Sequence, residues 1–234
     1  MIRFFHSEDR IDEFDLSAVL KSIFQEGGWL EDTLDFEHRS EQFKMAKGIE
    51  KALLTEDHLL FEAGTGVGKS LAYLIPSILF AIHRKRTCVV ATNTISLQEQ
   101  LLNKDIPSVR FLFESIPSLQ NFKNFRCALL VGRANYLCPN RLQRALRGQG
   151  ELFEGRHRRE LERIAQWAAS EKAIEGIRQE MSPLPMGVVW DAVSADSSLC
   201  SSKKCKPENC FYRKARAEVG QTSTSIKAAV IGWF

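Results

Sequence analysis

The chain has 234 residues, 44% hydrophobic and 26% charged, with a formal net charge of +3. That balance is ordinary for a globular protein with a real core, and the small charge neither demands nor excludes a nucleic-acid partner. No apolar run approaches the ~20 residues that span a bilayer, and the first ten residues lack the apolar stretch of a secretory leader. Membrane and secreted classes are therefore set aside in favour of a cytoplasmic protein.

Residues 1–35 carry a weak helical pattern (Phe14, Leu16, Val19, Leu20, Ile23, Phe24) that stops at Gly27-Gly28, and read as an N-terminal helical extension without chemistry of its own. Over Ser40–Leu54, Phe43, Met45, Ala46, Ile49, Leu53 and Leu54 recur at helical spacing and predict an amphipathic helix. Arg39 and Gln42 stand at its start. A glutamine can offer an amide donor and a carbonyl acceptor to one adenine edge, although a solvated polar face explains the same residues.

The next stretch organises the chain. An apolar run, Leu59-Leu60-Phe61, predicts a strand, and Glu62-Ala63-Gly64-Thr65-Gly66-Val67-Gly68-Lys69-Ser70 follows, leading into the helix pattern Leu71–Ile82. Strand, glycine loop, helix is the context in which backbone N–H groups cradle phosphate oxygens. Lys69 can reach the β and γ phosphates, the Ser70 hydroxyl can hold Mg²⁺, and the helix N-terminus adds partial positive charge. Ala63 stands where this motif usually begins with glycine. The reading is a site for ATP with Mg²⁺; a glycine-rich turn before a helix is the bland alternative.

Thr87–Ala91 predicts a second buried strand, and Thr92-Asn93-Thr94 a helix cap after it. Hydroxyls and free N–H groups at such a turn can take a nucleic-acid phosphate, which makes Thr92, Asn93 and Gln98 candidate DNA contacts. Cys127–Val131 predicts a further strand, with Cys88 and Cys127 as small core residues. From Arg141 to Glu180 the composition is helical, with Arg144, Arg147, Arg156, Arg158, Arg159 and Arg163 among glutamates. That pattern suits either a salt-bridged surface helix pair or a basic face on nucleic acid. Val188-Val-Trp-Asp191 imitates a strand with a Mg²⁺-binding aspartate, but Ala192 stands where a catalytic glutamate is needed.

Four cysteines remain: Cys138, then Cys200, Cys205 and Cys210 in close succession. In a reducing compartment such cysteines point to metal ligation. Zinc sites usually come as two short pairs, so one early ligand with three later ones leans toward an iron–sulfur cluster, with Zn²⁺ as the alternative. Polar neighbours (Ser201, Lys203, Lys204, Lys206, Pro207, Asn209) argue against chance core cysteines, and their basic charge offers a path to a phosphate backbone.

Arg39-x-x-Gln42-x-x-Met45, the loop 62–70, Ala91-Thr92 with Gln98-x-Gln100, Gly132-Arg133-x-Asn135-Tyr136-x-Cys138 and the cysteine trio followed by Phe211-Tyr212-x-x-Ala215-Arg216 together resemble the iron–sulfur superfamily 2 DNA helicases of the DinG and XPD group, DinG more closely, over about residues 36–218. The resemblance implies a 5′-to-3′ ATP-dependent DNA helicase of repair or replication. It implies Lys69 and Ser70 as catalytic, and residues 63–70 with Arg39 and Gln42 on ATP. It further implies a 4Fe-4S cluster on Cys138, Cys200, Cys205 and Cys210, and a single-stranded or tailed DNA partner. The expected architecture is α/β: an incomplete P-loop (RecA-like) parallel sheet with flanking helices, carrying an inserted four-cysteine module. Its divisions are 1–35, 36–137 (ATP-binding), 138–218 (iron–sulfur) and 219–234 (a divergent or truncated tail). No apolar strand ending in Asp-Glu follows the nucleotide loop. The chain therefore reads as a truncated product or fragment of such a helicase, and binding of ATP and metal without turnover is the competing reading. An unrelated P-loop ATPase with a zinc knuckle is a third.

Overall fold

A computed structural model describes residues 14–148, 153–200, 205, 207–220 and 227–232. Ser201, Lys203, Lys204 and Lys206, part of the basic surround expected for the cysteines, lie outside these residues, as do 1–13, 221–226 and 233–234. The chain divides into two compact units, residues 1–88 with 103–125, and residues 89–102 with 126–234.

The first unit is helical. Helices α1 (Leu16–Phe24), α2 (Trp29–Leu34), α3 (Ser40–Thr55), α4 (Lys69–His83) and α6 (Ile106–Ser115) belong to it. Asp15 caps α1 by accepting from the Ala18 N–H, and Glu56 closes α3 in the left-handed conformation. α4 is apolar on most of its surface, with Leu71, Ala72, Leu74, Ile75, Ile78 and Leu79 buried, so it is the axis of this core. Leu20 and Ile23 of α1, and Val109, Leu112 and Phe113 of α6, supply the rest. The core therefore holds the N-terminal end of α4, and the glycine loop before it, in a fixed place.

One expected element is absent. Leu59-Leu60-Phe61 forms no strand, and Leu60 is 99% exposed. A strand is stabilised by its neighbours' ladder hydrogen bonds, and among the described residues no strand runs beside this one to supply them.

The second unit combines a sheet with helices. β1 (Thr87–Thr92) enters from the first unit, and α5 (Ile95–Gln100) follows it with the Thr94 side chain accepting from the Leu97 N–H. The described sheet has the order β1–β3–β2, where β2 is Arg126–Leu130 and β3 is Lys227–Gly232. β3 runs parallel to β2, Arg126 facing Lys227 and Leu130 facing Ile231. The segment expected to be a divergent tail thus supplies the central strand. Alternate residues of β1 (Thr87, Val89, Ala91) are exposed, so the strand is half-open rather than buried on both faces.

Helices α7 (Pro139–Arg147), α8 (Gly155–Ala168) and α9 (Gly187–Val193) close around Leu142, Leu161, Ile164, Trp167, Val189 and Trp190. The strand-like run Val188–Asp191 is helical, a turn of α9 with Val189 and Trp190 inward. α10 (Phe211–Gly220) packs on β2. Between these bodies the segment Tyr136–Cys138 is pinned on both sides: the Leu137 N–H donates to Gly176 O at 2.8 Å, the Cys138 N–H to Val193 O at 2.8 Å, and the Ala195 N–H to Tyr136 O at 2.8 Å. Among the described residues no helix is long and apolar enough to cross a membrane.

Candidate functional site

The glycine loop folds back on itself immediately before α4. Gly66 and Gly68 both take φ of 81°, where a side chain would be strained, and Gly68 caps the helix. Left-handed glycines just before a helix start are the backbone from which anion-receiving loops are built. Four carbonyls of the loop accept hydrogen bonds from side chains. Lys69 Nζ donates to Ala63 O at 2.9 Å and Gly64 O at 3.0 Å. Arg39, at the N-cap of α3, donates through Nη1 to Gly66 O, and Gln42 Nε2 donates to Gly68 O at 2.9 Å. Gln42 is buried at 7% exposure. Thr65 is exposed, and Val67, Lys69 and Ser70 are half-buried. One of the two Nε2 protons of the amide expected to read adenine is therefore engaged within the loop. Ser70 shares a hydrogen bond with Tyr73, one turn along α4; burial pushes the Tyr73 phenol above its ordinary value, against that hydrogen bond.

In the second unit the four cysteines come from distant points of the sequence to one place. Cys138 lies between the pinned segment and α7, Cys200 ends a turn in which its N–H donates to Asp196 O at 2.9 Å, and Cys210 precedes α10. Cys200, Cys205 and Cys210 line a cavity of about 360 Å³ with Arg133, Tyr212, Arg213 and Arg216. Asn140 Nδ2 lies 3.6 Å from Cys205 Sγ. Burial pushes the Cys210 thiol up, a hydrogen bond from the Arg213 backbone pulls it down, and the charges of Cys205, Cys138 and Cys200 push it up again. Three thiols lining one cavity, with Cys138 near enough to act on Cys210, are donors whose chemistry suits a thiolate-bound metal group. Among the described residues, however, no three His, Cys, Asp or Glu side chains stand in closed ligand geometry.

Arg133 was visible only as part of a motif, without a role. It stacks over the Tyr212 ring at 4.6 Å, donates to Tyr212 Oη at 3.3 Å and to Ser197 O at 3.4 Å, and so ties the start of α10 to the turn bearing Cys200. Its spacing from Cys138 signals proximity; the partner in α10 carries no sequence signal.

The candidate DNA contacts separate. Asn93 is exposed at the turn after β1. Thr92 is 9% exposed, and its hydroxyl donates to Thr94 O at 3.2 Å. Gln98 is 1% exposed with neither amide atom paired, so in this conformation it faces protein rather than a strand of nucleic acid.

No protein-family model matches the chain. It is 35% identical over 197 residues to the ATP-dependent helicase DinG of Mycobacterium tuberculosis, covering 78% of this chain and 29% of that protein. It is 36% identical over 159 residues to the ATP-dependent DNA helicase YoaA of Haemophilus influenzae, covering 68% and 23%. Against the ATP-dependent DNA helicase DinG of Salmonella typhimurium it is 30% identical over 230 residues, covering 90% and 31%. The chain spans between about a quarter and a third of the length of these relatives.

Proposed function

Because the chain is DinG-like over most of its length, we propose that it is the ATP-binding and cysteine-bearing portion of an ATP-dependent 5′-to-3′ DNA helicase of the cytoplasm, working in repair or replication. The observation that carries this reading is the folded loop: left-handed Gly66 and Gly68, the start of α4 and the Lys69 ammonium converge on one anion-receiving end.

The α and β phosphates lie against the loop N–H groups from Gly64 to Ser70. Lys69 leaves the Ala63 and Gly64 carbonyls to meet the β and γ phosphates, exchanging neutral acceptors for charged ones. The Ser70 hydroxyl, bonded here to Tyr73, would be the side chain that holds a Mg²⁺ ion. Catalysis of phosphoryl transfer is positioning plus charge stabilisation, and these residues supply the binding share of it. Cys138, Cys200, Cys205 and Cys210 would hold a 4Fe-4S group, which supplies a rigid, charged tie among four segments; Zn²⁺ is the alternative occupant. Arg133, Arg213 and Arg216 offset the thiolate charge in that cavity. Asn93 and the Thr92 turn meet the DNA backbone.

A second reading is binding without turnover. Titration of the purified chain with MgATP tests the first reading. We expect saturable binding that Lys69→Ala weakens at least tenfold and that chelation of Mg²⁺ also weakens. No binding by the native chain would overturn the assignment. Hydrolysis stimulated by single-stranded DNA and lost in Lys69→Ala would rule out the second reading.

A further inference from the structure

We infer that Leu184 and Val188, with Arg156 and Arg159 on the adjoining turn of α8, form a surface for single-stranded nucleic acid. The apolar pair meets unstacked bases and the guanidiniums meet phosphates. This surface rests on the DNA-binding reading above and deepens it, because it gives the second unit a means of telling a single strand from a duplex.

Glu160 brings the two groups together. Its carboxylate accepts from Arg163 Nε at 2.9 Å and Nη2 at 2.8 Å, and its Oε1 also accepts from the Met186 N–H at 2.9 Å. Arg156 lies one helical turn before Glu160 and Arg159 immediately before it, so Met186 and its neighbours lie against the turn of α8 that carries both arginines. Glu160 is spent on Arg163 and Met186, and Glu162 is taken by Arg158 at 3.4 Å. Glu154 at the N-cap is left against two exposed guanidiniums, and among the described residues neither Arg156 nor Arg159 has an ion-pair partner.

Leu184 is 59% exposed and Val188 66%, while Pro185, Val189 and Trp190 around them are buried. Pro183 and Pro185 fix φ on both sides of Leu184, and a residue before proline is held extended. Val188 stands in the first turn of α9 and is stiff at its branched Cβ. Covering such a pair costs little conformational entropy, which suits a contact surface. The arginines ask for a partner with negative charge, and the apolar pair asks that the same partner offer apolar faces between its charges. A single strand carries both on one polymer, whereas a duplex stacks its base faces out of reach.

Fluorescence anisotropy of the full chain with a short oligothymidylate, an abasic strand of equal length and an equal-length duplex tests this. We expect the native chain to bind the oligothymidylate more tightly than either of the others. Leu184→Ser/Val188→Ser should weaken the oligothymidylate about three- to tenfold, for partial burial of two aliphatic side chains, and narrow its preference over the abasic strand by the same factor. Abasic affinity, salt dependence and unfolding temperature should stay as in the native chain, because no phosphate contact and no buried group has been removed. Arg156→Ala/Arg159→Ala should instead weaken both strands equally. An unchanged oligothymidylate affinity in Leu184→Ser/Val188→Ser would overturn the inference and leave the DNA reading standing, as would a duplex bound as tightly as the single strand. Self-association of the native chain in sedimentation, lost in Leu184→Ser/Val188→Ser, would assign the apolar pair to a second copy and overturn it likewise. If the native chain binds no strand, the DNA reading itself falls and takes the inference with it.

Discussion

Tyr136 shows how one side chain can tie a site to its core. Its ring is 1% exposed and packs edge-on against Tyr212, with ring centroids 5.6 Å apart, while its hydroxyl accepts from the Val131 N–H at 3.1 Å. Burial is the main reason its pKa is raised from 10.0 to about 12. The folded value lies above the unfolded one. The stabilisation is therefore complete below pH 10 and is lost as the pH rises through about 12. The full loss is roughly 2–3 kcal/mol. Denaturant unfolding measured from pH 8 to pH 12 should show this decline, and Tyr136→Phe should flatten it while lowering stability at pH 8 by about 1 kcal/mol through the unsatisfied Val131 N–H. An equal alkaline decline in both proteins would remove Tyr136 as its source. Gln98 marks the opposite case, a buried amide without a partner, and nothing local in the sequence distinguishes it from the exposed contact expected there.

At the scale of elements, α7 and α8 carry a charge pattern that internal pairing leaves unfinished. Arg141 is committed, donating to Ser194 O at 2.7 Å and Asp191 O at 2.9 Å; Arg163 pairs with Glu160 at 2.8 Å, and Arg158 with Glu162 at 3.4 Å. Arg144, Arg147, Arg156 and Arg159 are exposed. Arg156 and Arg159 lie near the N-terminus of α8, where the helix dipole disfavours cations, so folding stability gives no reason for their placement. The salt-bridge expectation is met by Arg158 and Arg163 within α8, while Arg144, Arg147, Arg156 and Arg159 leave a basic surface whose partner is a matter for experiment. Under the helicase reading, the double variant Arg156→Ala/Arg159→Ala should weaken binding of a single-stranded oligonucleotide at low salt. It should also make the salt dependence shallower by about one to two phosphate contacts, without moving the unfolding temperature. An unchanged salt slope would take this surface off the DNA path.

The elements that were legible in the sequence are those whose pattern is local: α3 and α4 from apolar periodicity, β1 and β2 from short β-branched and apolar runs. The unread parts depended on neighbours. Leu59–Phe61 has strand composition but no adjoining strand among the described residues, whereas Lys227–Gly232 has weaker composition and gains a strand on each side. The loop was legible because glycine spacing encodes backbone conformation directly. The hold of Arg39 and Gln42 on its carbonyls was not, since sequence separation says nothing about which atom of a nearby loop a side chain reaches.

At the scale of the molecule, the four cysteines set the size of the claim that can be tested. They join the segment before α7, the turn after Asp196, Cys205 and the start of α10, so a bound group would cross-link much of the second unit at once. Anaerobic purification should yield about four iron and four sulfide per chain, as a 4Fe-4S group requires. Cys205→Ser should lose that iron and lower the unfolding temperature, because a ligand bound only by the folded state stabilises it. Zinc bound in place of iron, under iron-replete anaerobic conditions, would reassign the site and withdraw the cluster from the proposed function.

The central position of β3 reaches into the order of events on the ribosome. Because β3 lies between β1 and β2, neither outer strand has a ladder partner among the described residues until Lys227–Gly232 has been made. Closing a loop from Leu130 to Lys227 is a non-local step with a high entropic cost and a slow rate. During synthesis the half-open β1 and the edge of β2 wait exposed until then, with Val89 53% uncovered in the described sheet. Nascent chains stalled before residue 227 should therefore be the ones that chaperones hold and proteases find.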